Sequence, residues 1–189
     1  MSSLSLIPAS TALVLIDLQH SNVTRPLAPY SGAEVVARGA SLAAAFRARG
    51  ATVVYVRVQV TELLNLPADA PVGRDPNGPP PPPHFSELVP ESGVQAGDIV
   101  IVKRQWGAFY DTGLDQQLRR RGIKTLVLGG IATNFGVEST ARAAYDIGYA
   151  LVFAEDAMTS LSGEMHQFCI EHLFKRMGRV RKTTDLLAI

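Results

Sequence analysis

Five short apolar runs rich in β-branched residues punctuate the chain, at 12–16, 52–58, 99–102, 125–128 and 150–153. Each run is continuously apolar rather than alternating, which is the pattern of a strand buried on both faces. Helical patterns lie between several of them. Val35, Gly39, Leu42, Ala43 and Phe46 follow i, i+4, i+7, i+8, i+11 spacing and stop before Gly50. Val137, Thr140, Ala141 and Ala144 repeat the pattern up to Gly148, with Glu138, Arg142 and Asp146 at i, i+4 steps on the other face. Strands buried on both sides, alternating with amphipathic helices, predict a parallel sheet covered by helices on both faces, a doubly wound α/β fold. No internal repeat and no second core interrupts it, so residues 1–189 are expected to form one domain.

The segment 61–97 breaks the alternation with "PNGPPPPPHF", a proline run that suits neither helix nor central strand. An irregular insertion of this length reads as a surface loop in extended conformation, a wall of the binding pocket or an oligomer contact. A net charge of +1 in 189 residues gives no reason to expect nucleic acid or an anionic membrane as partner. The single cysteine, Cys169, excludes an intramolecular disulfide. The first residues lack the basic and apolar regions of a signal peptide, and the run 13–16 is too short to span a bilayer. A cytoplasmic protein is expected.

Doubly wound sheets bind ligands at the carboxyl ends of their strands. Asp17 ends the first apolar run, Lys103 the third, and Gly136 follows the fourth, so three separate segments converge on one edge. Asp17 alone equally fits a turn or cap residue, and Lys103 alone a solvated strand end. Together they suit an acid/base pair, in which the ammonium holds the carboxylate ionised until substrate intervenes. Gly136 sits in the first turn of the predicted helix, where glycine costs roughly 0.5–1 kcal/mol relative to alanine.

Three strings carry a resemblance: "TALVLIDLQ" at 11–19, "IVKRQWGAF" at 101–109 and "GGIATNFGVESTARAAYDIGY" at 129–149. In order and spacing they are similar to the isochorismatase-like family of cysteine hydrolases, and most similar to its YecD-like subgroup. The resemblance implies a Rossmann-like three-layer α/β/α sandwich with a mainly parallel, roughly six-stranded sheet. It also implies an Asp–Lys–Cys triad, which maps to Asp17 and Lys103 and puts Gly136 where the nucleophilic cysteine belongs. A non-proline cis peptide of the family falls at Ile131–Ala132, turning the amides of Ala132 and Gly136 toward the pocket. Family members commonly form homo-oligomers, which points to a dimer or tetramer. A small-molecule substrate is implied, met by Gln19, Gln59, Trp106, Phe109, Ala132, Thr133 and Phe135.

Gln59 takes the place of a substrate-contacting glutamine but equally fits a plain polar strand end, and Trp106 and Phe109 suit an apolar wall. Arg57-Val58-Gln59 stands where metal-dependent relatives carry Asp-x-His, so no metal and no cofactor is expected. Cys169 belongs to a stripe of Met165, Phe168, Cys169, His172 and Leu173 at helical spacing, read as core-facing. His166 and His172 flank it at three-residue steps that diverge around a helix, which argues against zinc. Arg119–Arg121 before Gly122, and Arg179 with Arg181 on a short last strand, read as structural or surface charge. The expected function is hydrolysis of a small anionic or cyclic metabolite, with Asp17 as general acid. Its alternatives are a binding protein that has lost catalysis and an amidohydrolase using activated water.

Overall fold

Every apolar run is a strand, and Arg179 and Arg181 lie on a sixth, in a computed structural model that describes residues 5–70 and 78–188. The first half runs β1 (Thr11–Ile16), α1 (His20–Val23), α2 (Gly32–Ala48), β2 (Thr52–Val58), β3 (Ile99–Lys103) and α3 (Leu114–Arg120). The second runs β4 (Thr125–Ile131), α4 (Glu138–Asp146), β5 (Ala150–Thr159), α5 (Gly163–Phe168), α6 (Lys175–Met177), β6 (Gly178–Arg181) and α7 (Thr183–Leu187). The sheet order is β3-β2-β1-β4-β5-β6, and all five pairings are parallel. The chain winds outward from β1 to β3 and then returns beside β1 to begin β4. That reversal opens a crevice at the carboxyl ends of β1 and β4.

Side chains alternate across each strand and fill two cores. Leu13, Leu15, Tyr55 and Val127 pack on Val35, Leu42 and Phe46 of α2 and on Leu186 of α7. Val14, Ile16, Leu128 and Phe153 pack on Leu118 of α3, on Val137 and Ala141, and on Phe174. The rings of Phe153 and Phe174 stack at 4.0 Å. Helices on both faces of one parallel sheet make a three-layer α/β/α sandwich. Among the described residues no helix is long and apolar enough to cross a membrane.

Local chemistry sets the ends of the elements. A capping box opens α2: Ser31 Oγ accepts from the Glu34 amide, and Glu34 Oε2 accepts from the Ser31 amide at 2.9 Å. Between β2 and β3 the described residues hold only single-turn 3-10 helices, at Val60–Glu62, Pro83–Ser86 and Pro90–Ser92. Residues 71–77 of the proline-rich insertion lie outside the described residues.

Two sequence expectations are corrected. Gly136 lies not in the first turn of α4 but in a wide π-type turn, Thr133–Val137, where the Val137 amide bonds to the Ala132 carbonyl five residues back. The stripe around Cys169 has the right period and a shifted phase. The buried residues are His166, Cys169, Ile170 and Phe174, whereas Met165 and Phe168 are exposed. His166 can be buried because both ring nitrogens find partners, Nδ1 with Thr133 Oγ1 at 2.9 Å and Nε2 with Glu155 Oε1 at 3.4 Å.

Gly129 and Gly130 sit at a register shift between β4 and β5. Gly130 has φ +122°, and a Cβ there would fall 2.1 Å from the Ile16 carbonyl oxygen. Only glycine lets β4 lie this close to the end of β1. Gly130→Ala is expected to destabilise the fold by at least about 2 kcal/mol, measured by denaturant unfolding; wild-type stability would show that β4 has another way to pass Ile16.

Glu155 in β5 ties together four separate segments of the chain: it meets His166, accepts from Tyr30 Oη at 3.0 Å and pairs with Lys182. Burial alone would raise its pKa, but the hydrogen bonds from His166, Lys182 and Tyr30 win and hold it at about 2, below the usual 4.5. A depressed carboxyl pKa stabilises the fold above pH 4.5, and that stability is lost as pH falls toward 2. Glu155→Gln should therefore lower stability by about 1–3 kcal/mol at neutral pH and flatten the acid limb of a Tm-versus-pH curve. An unchanged acid limb would assign that stability to other carboxylates.

Candidate active site

Asp17 is the first residue after β1 and turns sharply, with φ 53°, a left-handed conformation that aspartate tolerates better than most residues. Its amide donates to the Val56 carbonyl at 2.8 Å, and Asn22 Nδ2 donates to its carbonyl at 3.3 Å. The backbone is thus held on both sides while the side chain faces the crevice. Lys103 ends the edge strand β3, two strands from β1 and so roughly 10 Å away across the sheet. Lysine has the reach to cross β2. Its Nζ lies 2.8 Å from Asp17 Oδ2 and donates to the Trp106 carbonyl at 2.6 Å.

The pair is closed off from water, with Lys103 at 1% and Asp17 at 6% exposure. Burial raises the Asp17 pKa above its ordinary 3.8 and outweighs the opposing attraction of Lys103. Lys103 favours the ionised form, and desolvation of the wholly buried carboxyl opposes it and sets the direction of the shift. Asp17 Oδ1 has no hydrogen-bond partner.

Gly136 faces this pair directly. A Cβ on it would lie 3.0 Å from Lys103 Nζ, 3.1 Å from Ile16 Cγ2 and 3.2 Å from Asp17 Oδ2. The position is no empty seat, since the ion pair has closed toward the bare backbone. The peptide between Ile131 and Ala132 is cis, as the resemblance implies.

Asp17, Lys103, Trp106, Phe109, Ala132, Phe135 and Gly136 line one cavity of about 580 Å³. Trp106 is half-exposed and meets Phe135 edge-on at 5.1 Å, and Phe109 packs on Tyr149. Leu63, Leu64, Leu66 and Pro67 from the start of the insertion form another wall. Three sequence-predicted residues stand elsewhere. Gln19 is buried with its amide consumed: Oε1 accepts from the Val58 amide, and Nε2 donates to the carbonyls of Val58 and Phe85. It fastens the insertion to β2. Gln59 turns toward Arg57 and Thr61, and Thr133 toward His166.

Asn22, Arg25 and Ser139 line the cavity without having been singled out in the sequence. Ser139 was legible in principle, because it lies three residues after Gly136 on the same helical face. Arg25 follows α1 in a loop with no periodicity to read. Cys169 is away from the cavity; burial and the neighbouring Glu138 push its thiol up to about 12, leaving it protonated. Among the described residues no group of three His, Cys, Asp or Glu side chains is placed to hold a metal ion.

Residues 11–185 match the isochorismatase domain. The isochorismatase family protein YecD of Escherichia coli O157:H7 is 46% identical over 190 residues, covering 94% of this chain and 95% of its own. YwoC of Bacillus subtilis strain 168, of the same family, is 43% identical over 99% of this chain and 97% of its own. The structure of an isochorismatase family protein from Burkholderia thailandensis superposes with a TM-score of 0.88 at 43% identity, over 96% of each chain. With the fold, the buried aspartate–lysine pair and the glycine beside it in place, these matches settle the lineage: the chain belongs to the isochorismatase family, as a member whose only cysteine lies away from the nucleophile position.

Proposed function

We propose that the chain is a hydrolase that cleaves a small enol ether by general-acid catalysis, without a covalent nucleophile. The observation that supports this reading most is the Asp17 carboxyl on the cavity wall, buried, raised in pKa and without a hydrogen-bond partner at Oδ1. A carboxyl in that state keeps its proton to higher pH than an exposed one, which is the requirement for a general acid.

In the proposed reaction, protonated Asp17 transfers its proton to the terminal vinyl carbon of the substrate. A C–H bond forms, the double bond is lost, and positive charge develops on the carbon bearing the ether oxygen. Water adds to that carbon and returns a proton to the Asp17 carboxylate. The hemiketal so formed collapses to a ketone and an alcohol, and the acid is regenerated. Lys103 holds Oδ2 and counters the transient negative charge of the carboxylate. Glycine at 136 lets Lys103 sit against Oδ2, and Oδ1 is left without a partner.

The test is a screen of small enol ethers and small amides with wild type and Asp17→Asn. Asparagine keeps an oxygen to accept from Lys103, so the variant should remain folded by circular dichroism. Enol-ether kcat should fall by about a hundredfold or more, with ligand affinity little changed. In wild type, kcat should decline as pH rises through the raised Asp17 pKa, because only the protonated form reacts. Full activity in Asp17→Asn would remove the acid role. Cleavage of amides alone would support activated-water amidohydrolysis, and ligand binding without turnover on either class would support a binding protein.

A further inference from the structure

The polar side chains of the cavity wall are mostly committed to the protein itself. Asp17 and Lys103 hold each other, and Asn22 holds the Asp17 carbonyl. Gln105 Nε2 donates to the carbonyls of Gly107 and Tyr110. Arg25 and Ser139 differ: among the described residues neither side chain makes a hydrogen bond or ion pair. Arg25 is an exposed part of the wall, and the Tyr110 hydroxyl, also without a partner, lies on a side chain that is largely in solvent.

Charge then decides the ligand. Among the described residues the wall carries three ionisable side chains, Asp17, Lys103 and Arg25, so it is net positive whether Asp17 is ionised or protonated. Lys103 is committed to Asp17 Oδ2 and the Trp106 carbonyl, and Arg25 is left as the uncommitted positive charge. Most of the rest of the wall is apolar and partly aromatic, from Leu63, Leu64, Phe109 and Phe135 to the Trp106 indole. Arg25 is also held in register with the acid. Its amide donates to the Asn22 carbonyl at 3.2 Å, and the Asn22 side chain grips Asp17. These contacts fix the Arg25 backbone, and the guanidinium it carries presents a planar fork suited to a carboxylate.

We propose that Arg25 is a specificity-determining residue that anchors a monocarboxylate with an apolar or aromatic body, setting the far end of the molecule while Asp17 meets the reacting bond. The proposal rests on the cavity assigned above as the substrate site, but its carboxylate preference is independent of whether Asp17 donates a proton. Ser139 adds a neutral hydroxyl donor or acceptor along the same wall.

Two probes of matched shape separate charge from size: 3-phenylpropanoate and its neutral amide, 3-phenylpropanamide. Trp106 is the only tryptophan in the chain and stands in the cavity wall, so its fluorescence reports occupancy. Wild type should bind the carboxylate about fivefold more tightly than the amide, a preference that shrinks with added salt. Arg25→Ala should bind both probes alike, and Arg25→Lys should keep part of the preference. Asp17→Asn should keep all of it, even where turnover is lost. Equal binding of the two probes by wild type, an unchanged preference in Arg25→Ala, or no saturable response to the carboxylate would overturn the proposal. Failure of the general-acid reading would instead show as unaltered turnover in Asp17→Asn, with the Arg25 dependence of binding intact.

Discussion

The buried ion pair between Lys103 and Asp17 is the contact on which the rest of the site depends. It bridges the edge strand β3 to the turn after β1, across the whole of β2. Two opposite charges removed from water require mutual contact and further hydrogen bonds to be tolerated. Lys103 meets that requirement with two acceptors, Asp17 Oδ2 and the Trp106 carbonyl. Asp17 meets it only in part, because Oδ1 is left without a partner. An unsatisfied oxygen in so tightly packed a place is costly to the fold and useful to chemistry, since a proton or a substrate satisfies it.

The glycine beside the pair belongs to the same economy of space. Both Gly130 and Gly136 lie against Ile16, one against its backbone and the other against its side chain. Gly130 brings the end of β4 onto β1, and Gly136 lets the following turn approach the ion pair. A cysteine at 136 would have to displace Lys103 or Asp17 by a few tenths of an ångström to fit this arrangement. The site is therefore packed around its glycine, and its chemistry has to be carried by groups other than a nucleophile at that position.

Much of this was legible in the sequence, and for definite reasons. Continuous apolar runs announce strands covered on both faces, and the position of Asp17 and Lys103 at run ends puts them at one edge whatever the sheet order. Distance from the start of the run, however, says nothing about where a side chain points. Gln19 and Gln59 lie at strand ends as Asp17 does, yet one is spent on fastening the insertion and the other on Arg57 and Thr61. His166 falls outside the stripe that the spacing around Cys169 picks out, and the partners that make its burial tolerable, Thr133 and Glu155, are 33 and 11 residues away. Arg25 lacked any periodic context. Its place on the cavity wall comes from the loop after α1, which only the folded chain defines.

The central claim is that burial outweighs Lys103 and raises the Asp17 pKa above its ordinary value. A titration of side-chain carboxyl carbons by NMR, with Asp17→Asn identifying the resonance, measures this without a substrate. The account predicts a midpoint for Asp17 above the ordinary 3.8; a midpoint at or below that value would mean that Lys103 wins and that Asp17 stands ionised, unable to serve as the acid.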